Sequence, residues 1–222
     1  MGYVYKENGK MNNKDYDDTY KEALKTNDPR GYTIKKWGDP KPYFQQFIEP
    51  ILLGKSNLNT VEIGAGMGRY TELVKPYAKM IYAIESSLLC LPVLSQTKIT
   101  AVHTSEVDTI PNGIDLVYTF STMLHFTLYE IWFYLNKLCP KVSPDGWFVL
   151  HYSSFDSNGG ADYFIKTAPK EFGETGRYCF HNSKELIKLF QHFFFDIILD
   201  SEPTKPIIPG HRVLTMRRRN KI

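Results

Sequence analysis

The chain is short of cysteine, of long apolar runs and of any marked excess of charge. Its three cysteines, Cys90, Cys139 and Cys179, are odd in number and form no CxxC pair. That pattern supports neither a disulfide framework nor a zinc site, and no metal is expected. Apolar stretches such as Leu88 to Leu94, broken by Pro92, fall far short of the ~20 residues a membrane helix needs. No membrane association is therefore expected. The opening MGYVYKENGKMNNKD is polar and lacks the apolar segment of a signal peptide. Lys6 stands where a myristoylation signal after Gly2 requires Ser or Thr. A reducing cytoplasm is the expected setting. The balance of 27 Lys and Arg against 24 Asp and Glu gives a net charge of +3, too mild to indicate a nucleic-acid partner. Four of the positives, Arg217, Arg218, Arg219 and Lys221, crowd the last six residues. Without them the count is 23 against 24, so the basicity reads as a tail rather than a surface.

What is present is the composition of one ordinary globular domain: 222 residues, 42% hydrophobic and 23% charged. No internal repeat or low-complexity linker interrupts it. Residues 1–40, rich in Tyr, Lys, Asn and Asp, read as an N-terminal arm or cap on a domain spanning 41–222. The arm is expected to hold a short helix over 15–25 and a loop through the Asn-Asp-Pro-Arg-Gly signal at 27–31. A second helix follows Pro40 and carries Phe44, Phe47 and Ile48. From residue 58 onward, short apolar strands at 59–63, 80–84, 99–102, 114–120 and 147–152 alternate with helical patterns. Leu128, Ile131, Trp132, Leu135 and Leu138 recur on one helical face. The turn at 143–146 ends that unit. Asn182 and Glu185 have the spacing of a capping box, and strands at 195–199 and 211–216 close the pattern. Strands alternating with helices predict an α/β fold, a mostly parallel sheet covered on both faces.

The most informative stretch is Val61-Glu62-Ile63-Gly64-Ala65-Gly66-Met67-Gly68-Arg69. A strand running into glycines at alternate positions before a helix makes a tight turn where a ligand can lie against bare backbone. In the dinucleotide pattern GxGxxG, Arg69 occupies the third glycine's place and Gly68 comes one position early, which argues against a nicotinamide enzyme. Glu85 ends the second strand, 21 residues after Gly64. A carboxylate at that spacing accepts hydrogen bonds from ribose hydroxyls in other nucleotide-binding sheets.

Glu62-x-Gly64-x-Gly66-x-Gly68 followed by Glu85 resembles the cofactor signature of the class I S-adenosylmethionine-dependent methyltransferases. Ile114-Asp115-Leu116-Val117 resembles that family's fourth-strand motif, and Ser143-Pro144-Asp145-Gly146-Trp147 its turn before the fifth strand. The resemblance spans about residues 37 to 217. It implies a Rossmann-like seven-stranded sheet with helices on both faces and an antiparallel last strand. It also implies S-adenosyl-L-methionine as methyl donor and S-adenosyl-L-homocysteine as product. Glu62 and the loop Gly64, Ala65, Gly66 and Gly68 would then hold the methionine moiety and Glu85 the ribose, with Ser86 and Phe120 as further cofactor-binding candidates. The family's adenine-contacting acidic residue is replaced in His103-Thr104-Ser105-Glu106, where Ser105 stands at the expected place with Glu106 beside it.

Open parallel sheets bind ligands beyond the carboxyl ends of their strands. Phe120-Ser121-Thr122-Met123-Leu124-His125-Phe126 follows the fourth strand, and His151 ends the fifth. Methyl transfer to a hydroxyl needs a base of suitable pKa, and His125 and His151 are the two candidates. The WGDP at 37–40 with the LHF at 124–126 and HYS at 151–153 resembles a bacterial subgroup associated with glycan or other small-molecule modification. The expected function is O-methylation of a small molecule such as a sugar or glycan precursor. Methylation of RNA or protein, and a catalytically silent partner subunit, are the alternatives. Residues 153–182 read as a long substrate-side loop without a clear helix, with Arg177 as a candidate anchor for an anionic group. Tyr16, Tyr32 and Trp37 are candidates to close over the site.

Overall fold

A computed structural model of the chain describes residues 14–171, 178–206 and 209–219. Its centre is a twisted sheet whose strands are β1 (Leu58–Ile63), β2 (Ala78–Glu85), β3 (Ile99–His103), β4 (Ile114–Thr119), β5 (Val142–Ser154), β6 (Phe180–His181), β7 (Phe195–Ser201) and β8 (His211–Arg218). Seven of them form the path β3-β2-β1-β4-β5-β8-β7, and the two-residue β6 pairs with the end of β5. Neighbours from β3 to β5 run parallel. Among the named strands, β8 runs antiparallel to both of its neighbours, β5 and β7. The seven-stranded expectation thus holds for the main path, with β6 as an eighth, marginal strand.

The strands alternate side chains between two buried faces, as a doubly covered sheet requires. On one face Val61, Ile63, Val117, Phe148 and Leu150 pack with Leu135, Leu186 and Phe190. These come from α7 (Leu128–Leu138) and α9 (Ser183–His192). On the other, Tyr118, Phe120, Val149 and Val213 pack with Tyr43, Phe47 and Ile48. That second layer begins with α1 (Lys14–Leu24) and α2 (Pro29–Trp37). It continues through α3 (Lys41–Tyr43), a π-turn over Phe44–Ile48 and α4 (Glu49–Leu52). Tyr20 and Ala23 of α1 belong to the same apolar cluster, so the arm is packed on the domain. The short helices α5 (Thr71–Val74) and α6 (Leu91–Leu94) follow β1 and β2.

Predicted strands lie within two residues of observed ones except β5, which begins at Val142 and takes in the turn at 143–146. Four other readings need correction. The expected loop at 27–31 opens α2: Asp28 accepts a bond from the Gly31 N–H at 2.8 Å and Pro29 starts the helix, a start signal of its own. The segment 153–182 is not without a helix, because α8 (Gly160–Glu171) lies within it. Asn182 does cap α9, but through the Lys184 N–H at 2.9 Å. A reciprocal box forms instead at Thr127 and Glu130, at the start of α7. Finally, the terminal arginines are not a loose tail. Arg217 and Arg218 lie in β8, with Arg217 paired to Asp145 at 2.9 Å and Arg219 to Asp196 at 2.5 Å. Arg218 donates to the carbonyls of Pro140 and Val142. Lys221 and Arg177 lie outside the described residues.

Candidate active site

Beyond Ile63 the chain turns through Gly64, Gly66 and Gly68 at φ of +73°, +54° and +82°, a region that only glycine enters without strain. The N–H groups of Gly64 and Ala65 both donate to the Ile84 carbonyl, at 2.9 and 3.0 Å, which ties the turn to the end of β2. A Cβ on Gly64 would lie 2.2 Å from Thr122 Oγ1, so the loop after β4 also requires bare backbone here. Glu62 is buried on the arm-side face of β1, where its Oε2 accepts from Thr71 Oγ1 at 2.5 Å and Tyr118 Oη at 2.9 Å. Burial pushes its carboxyl up to about 7, against the pull of those two hydroxyls.

At the end of β2, the Glu85 carboxylate gathers the loops around it. It accepts from the Gly66 N–H at 2.7 Å and from the Ser86 and Ser87 N–H groups at 2.8 Å each. Burial raises its pKa, and these backbone donors oppose the rise. The arm closes over this turn. Asp17 accepts from Ser87 Oγ at 2.5 Å, and Tyr20 sets its hydroxyl 3.0 Å from where a Gly66 Cβ would be. Arg30 Nε donates to the Met67 carbonyl at 3.2 Å and pairs with Glu72 at 3.1 Å. Arg69 donates to the Gly38 carbonyl at 3.0 Å and lies over the Trp37 ring. Burial and the nearby Glu85 raise the Tyr20 phenol well above its ordinary range, keeping it a neutral donor.

The other candidates occupy varied surroundings. Ser105 and Glu106 are exposed in a turn of 3-10 helix after β3, and Ser105 Oγ lies 2.7 Å from His103 Nδ1. Phe120 is buried, stacked on Tyr70 at 4.8 Å between ring centroids. His125 closes a 3-10 turn after β4, its Nε2 3.0 Å from Tyr16 Oη and its ring 5.0 Å from that of Tyr178. His151 is fully buried on β5, and its Nδ1 accepts from the Ser121 N–H at 3.1 Å. Its ring lies 4.6 Å from that of His211 on β8. Burial first, then the neighbouring imidazoles, hold His151 well below its ordinary pKa, and the same causes put His211 at about 4.

The structure therefore brings Glu62, the glycine turn, Glu85 and Ser86 together, and sets His125 and His151 at the carboxyl ends of β4 and β5. Sequence reasoning missed Asp17, Tyr20, Tyr118 and His211. Only His211 left a trace, as a histidine opening the last strand. The other three gain their places through contacts distant in sequence. Among the described residues no group of three or more His, Cys, Asp or Glu side chains could hold a metal ion. Among them, too, no helix is long and apolar enough to cross a membrane.

No family model matches the chain, and neither does any curated protein. Solved structures do match. A magnesium protoporphyrin IX methyltransferase from Synechocystis PCC 6803 with bound S-adenosylhomocysteine is 15% identical. That match covers 81% of this chain and 85% of the other, with a TM-score of 0.59. A mitomycin 7-O-methyltransferase is 12% identical over 90% of this chain, with a TM-score of 0.62, and the match covers 60% of its own length. A [4+2]-cyclase is 11% identical over 82% of each chain, also at 0.62. The cyclase shows that this architecture also serves other chemistry. With its parallel sheet, glycine turn and antiparallel β8, the chain has the fold of the class I S-adenosylmethionine-dependent methyltransferases.

Proposed function

We propose that the chain is an S-adenosylmethionine-dependent methyltransferase that O-methylates a small molecule, such as a sugar or related metabolite. The observation that carries this reading is the cradle itself: three glycines in left-handed backbone, with the middle one's N–H bonded to Glu85. The residues fit the donor. A Cβ at Gly64 would collide with Thr122, so backbone must come close to backbone here. An ionised carboxylate has about four acceptor positions. On Glu85 the Ser86 and Ser87 N–H groups and a long, 3.3 Å contact from Ser86 Oγ all fall on Oε1, whereas Oε2 accepts from the Gly66 N–H and keeps a lone pair that a ribose hydroxyl would take. Glu62 and the turn would hold the methionine end, and Ser105 or Glu106 the adenine edge. When bound, S-adenosylmethionine supplies an electrophilic methyl group.

The two histidines divide their duties by tautomer. His151 uses Nδ1 as an acceptor, which leaves its proton on Nε2, so it donates to an acceptor oxygen and orients it. His125, beside the Tyr16 hydroxyl, is the group that takes the proton as the oxygen attacks. The arm covers His125 through Tyr16, and Tyr43 and Phe120 cover His151.

Calorimetry with S-adenosylmethionine and S-adenosylhomocysteine tests the reading, and absence of binding to folded protein refutes it. A second reading, a methyltransferase-fold protein without transfer activity, is favoured by Tyr20 and Asp17 lying directly on the cofactor loops. The same titration decides between them.

A further inference from the structure

We propose that His151 and His211 form a paired-imidazole subsite that receives uncharged, ring-borne hydroxyls. In calling that ligand the methyl acceptor, the inference rests on the methyltransferase reading above. The placement follows from strand register. In the antiparallel β5/β8 pair His151 lies opposite Val213 and Ser153 opposite His211. Residues two apart on a strand, and residues directly opposite, share a face. His151, Ser153 and His211 therefore project together toward the layer that holds Tyr43. The two imidazoles meet edge to face, 4.6 Å apart and at 84°.

Their polar atoms lack partners. Among the described residues, His151 Nε2, both ring nitrogens of His211, Ser153 Oγ and Ser121 Oγ find no hydrogen-bond partner, with His151 0% and His211 1% exposed. Buried polar groups are nearly always satisfied. Ser121 adds backbone strain, a non-glycine residue at φ +58°, of the kind that gathers at binding sites. These orphans, gathered about the His151–His211 pair, call for a partner that the described residues do not provide.

The chemistry of the orphans selects that partner. His151 presents an N–H, because its Nδ1 is already an acceptor. A neutral His211 presents one donor and one acceptor, and each serine hydroxyl can be either. Among the described residues, the charges that act on the two rings are those of other histidines, His125 and His211 on His151 and His125 on His211. A site with donors and acceptors but no charge suits a hydroxyl, which is both at once. It suits neither ammonium nor phosphate. Tyr43 and Phe120 flank His151 at 5.0 and 5.6 Å, and Tyr178 lies 5.9 Å from His211, so aromatic rings, on which a ligand's ring could stack, surround the pair. Tyr178 also touches His125, so a hydroxyl held by the pair has a neighbour on the base side.

The test uses the full chain, isotope-labelled on nitrogen, with the imidazole signals followed near neutral pH. Methyl α-D-glucopyranoside, catechol, inorganic phosphate and ethylammonium are added in turn. Two neutral rings are expected, His151 protonated on Nε2, and both should shift with the glucoside or with catechol. Whichever acts tells a sugar from a phenol. His211→Phe keeps a ring but removes both nitrogens, and should weaken the active probe about tenfold. His211→Gln should restore part of the loss, and both variants should bind S-adenosylhomocysteine as the wild type does. Silence of both rings toward both neutral probes overturns the proposal, and so does a response to phosphate with protonation of the pair. If His211→Phe fails to fold, the wild-type spectra still decide. Rings that respond in a protein unable to bind S-adenosylhomocysteine would sink the methyltransferase reading and leave the hydroxyl site standing. Binding of S-adenosylhomocysteine with silent rings would do the reverse.

Discussion

Replacing Glu62 by glutamine should change how stability depends on pH, and the structure sets both sign and size. The carboxyl is buried at 3% exposure, and burial lifts its pKa from 4.5 to about 7. The folded chain thus keeps a proton that the unfolded chain has released. Its stabilising contribution is complete below pH 4.5 and is lost as pH rises through 7, a change of about 3 kcal/mol. Opposing terms lie in part of the same window. His211 is lowered from 6.5 to about 4, and His151 well below 6.5. Their contributions are present above pH 6.5 and fade as pH falls. The wild-type profile alone is therefore a sum of opposite slopes. The difference between wild type and Glu62→Gln in urea unfolding isolates one proton, and should decline by about 1.4 kcal/mol per pH unit in mid-window. A flat difference between pH 5 and 7 would show that Glu62 ionises normally and refute the reasoning. Under the proposed function the same proton should be expelled when the methionine ammonium arrives, as calorimetry in buffers of unlike ionisation enthalpy would show.

Other perturbations act on the glycine turn, the arm and the two histidines. Gly64→Ala places a methyl group 2.2 Å from Thr122 Oγ1 at φ +73°, and should cost about 2–4 kcal/mol in unfolding experiments while abolishing cofactor binding. Glu85→Gln replaces an acceptor of three backbone N–H groups by one that also donates, and should weaken S-adenosylhomocysteine about tenfold or more; unchanged affinity would exclude Glu85 from the site. Tyr20→Ala removes the side chain that presses the arm onto Gly66. Limited proteolysis should then cut between α1 and α2 faster, and an unchanged rate would argue that the arm is held elsewhere. His125→Ala should lower turnover by about 100-fold or more at unchanged cofactor affinity. His151→Ala should chiefly raise the acceptor's KM, and the opposite pattern would reverse the two assignments.

Much of this fold was legible because its signals are local. The strands carry apolar runs of the right length, and the glycine turn shows its backbone demands in three residues at alternate positions. Glu85 was legible for the same reason, since β1 and β2 are adjacent and parallel, which fixes the separation of their ends. Helix α2 was misread although its signal was equally local: Asp28-Pro29 marks a turn and a helix start alike, and only the Thr33 side of the helix finding a buried place decided between them. The contacts that define the site are of another kind. Asp17 to Ser87, Tyr16 to His125 and Tyr118 to Glu62 join residues 70, 109 and 56 positions apart, and no periodicity records them. His211 stands between the two cases. It lies at the start of the last strand in plain view, but its meaning depends on register: shifted by one residue, β8 would turn it to the opposite face and leave His151 alone. What the sequence conceals is thus less the identity of polar residues than their pairing, and the antiparallel insertion of β8 between β5 and β7 creates the pairing that matters most here. The late strand closes the sheet and, in the same step, furnishes the second imidazole.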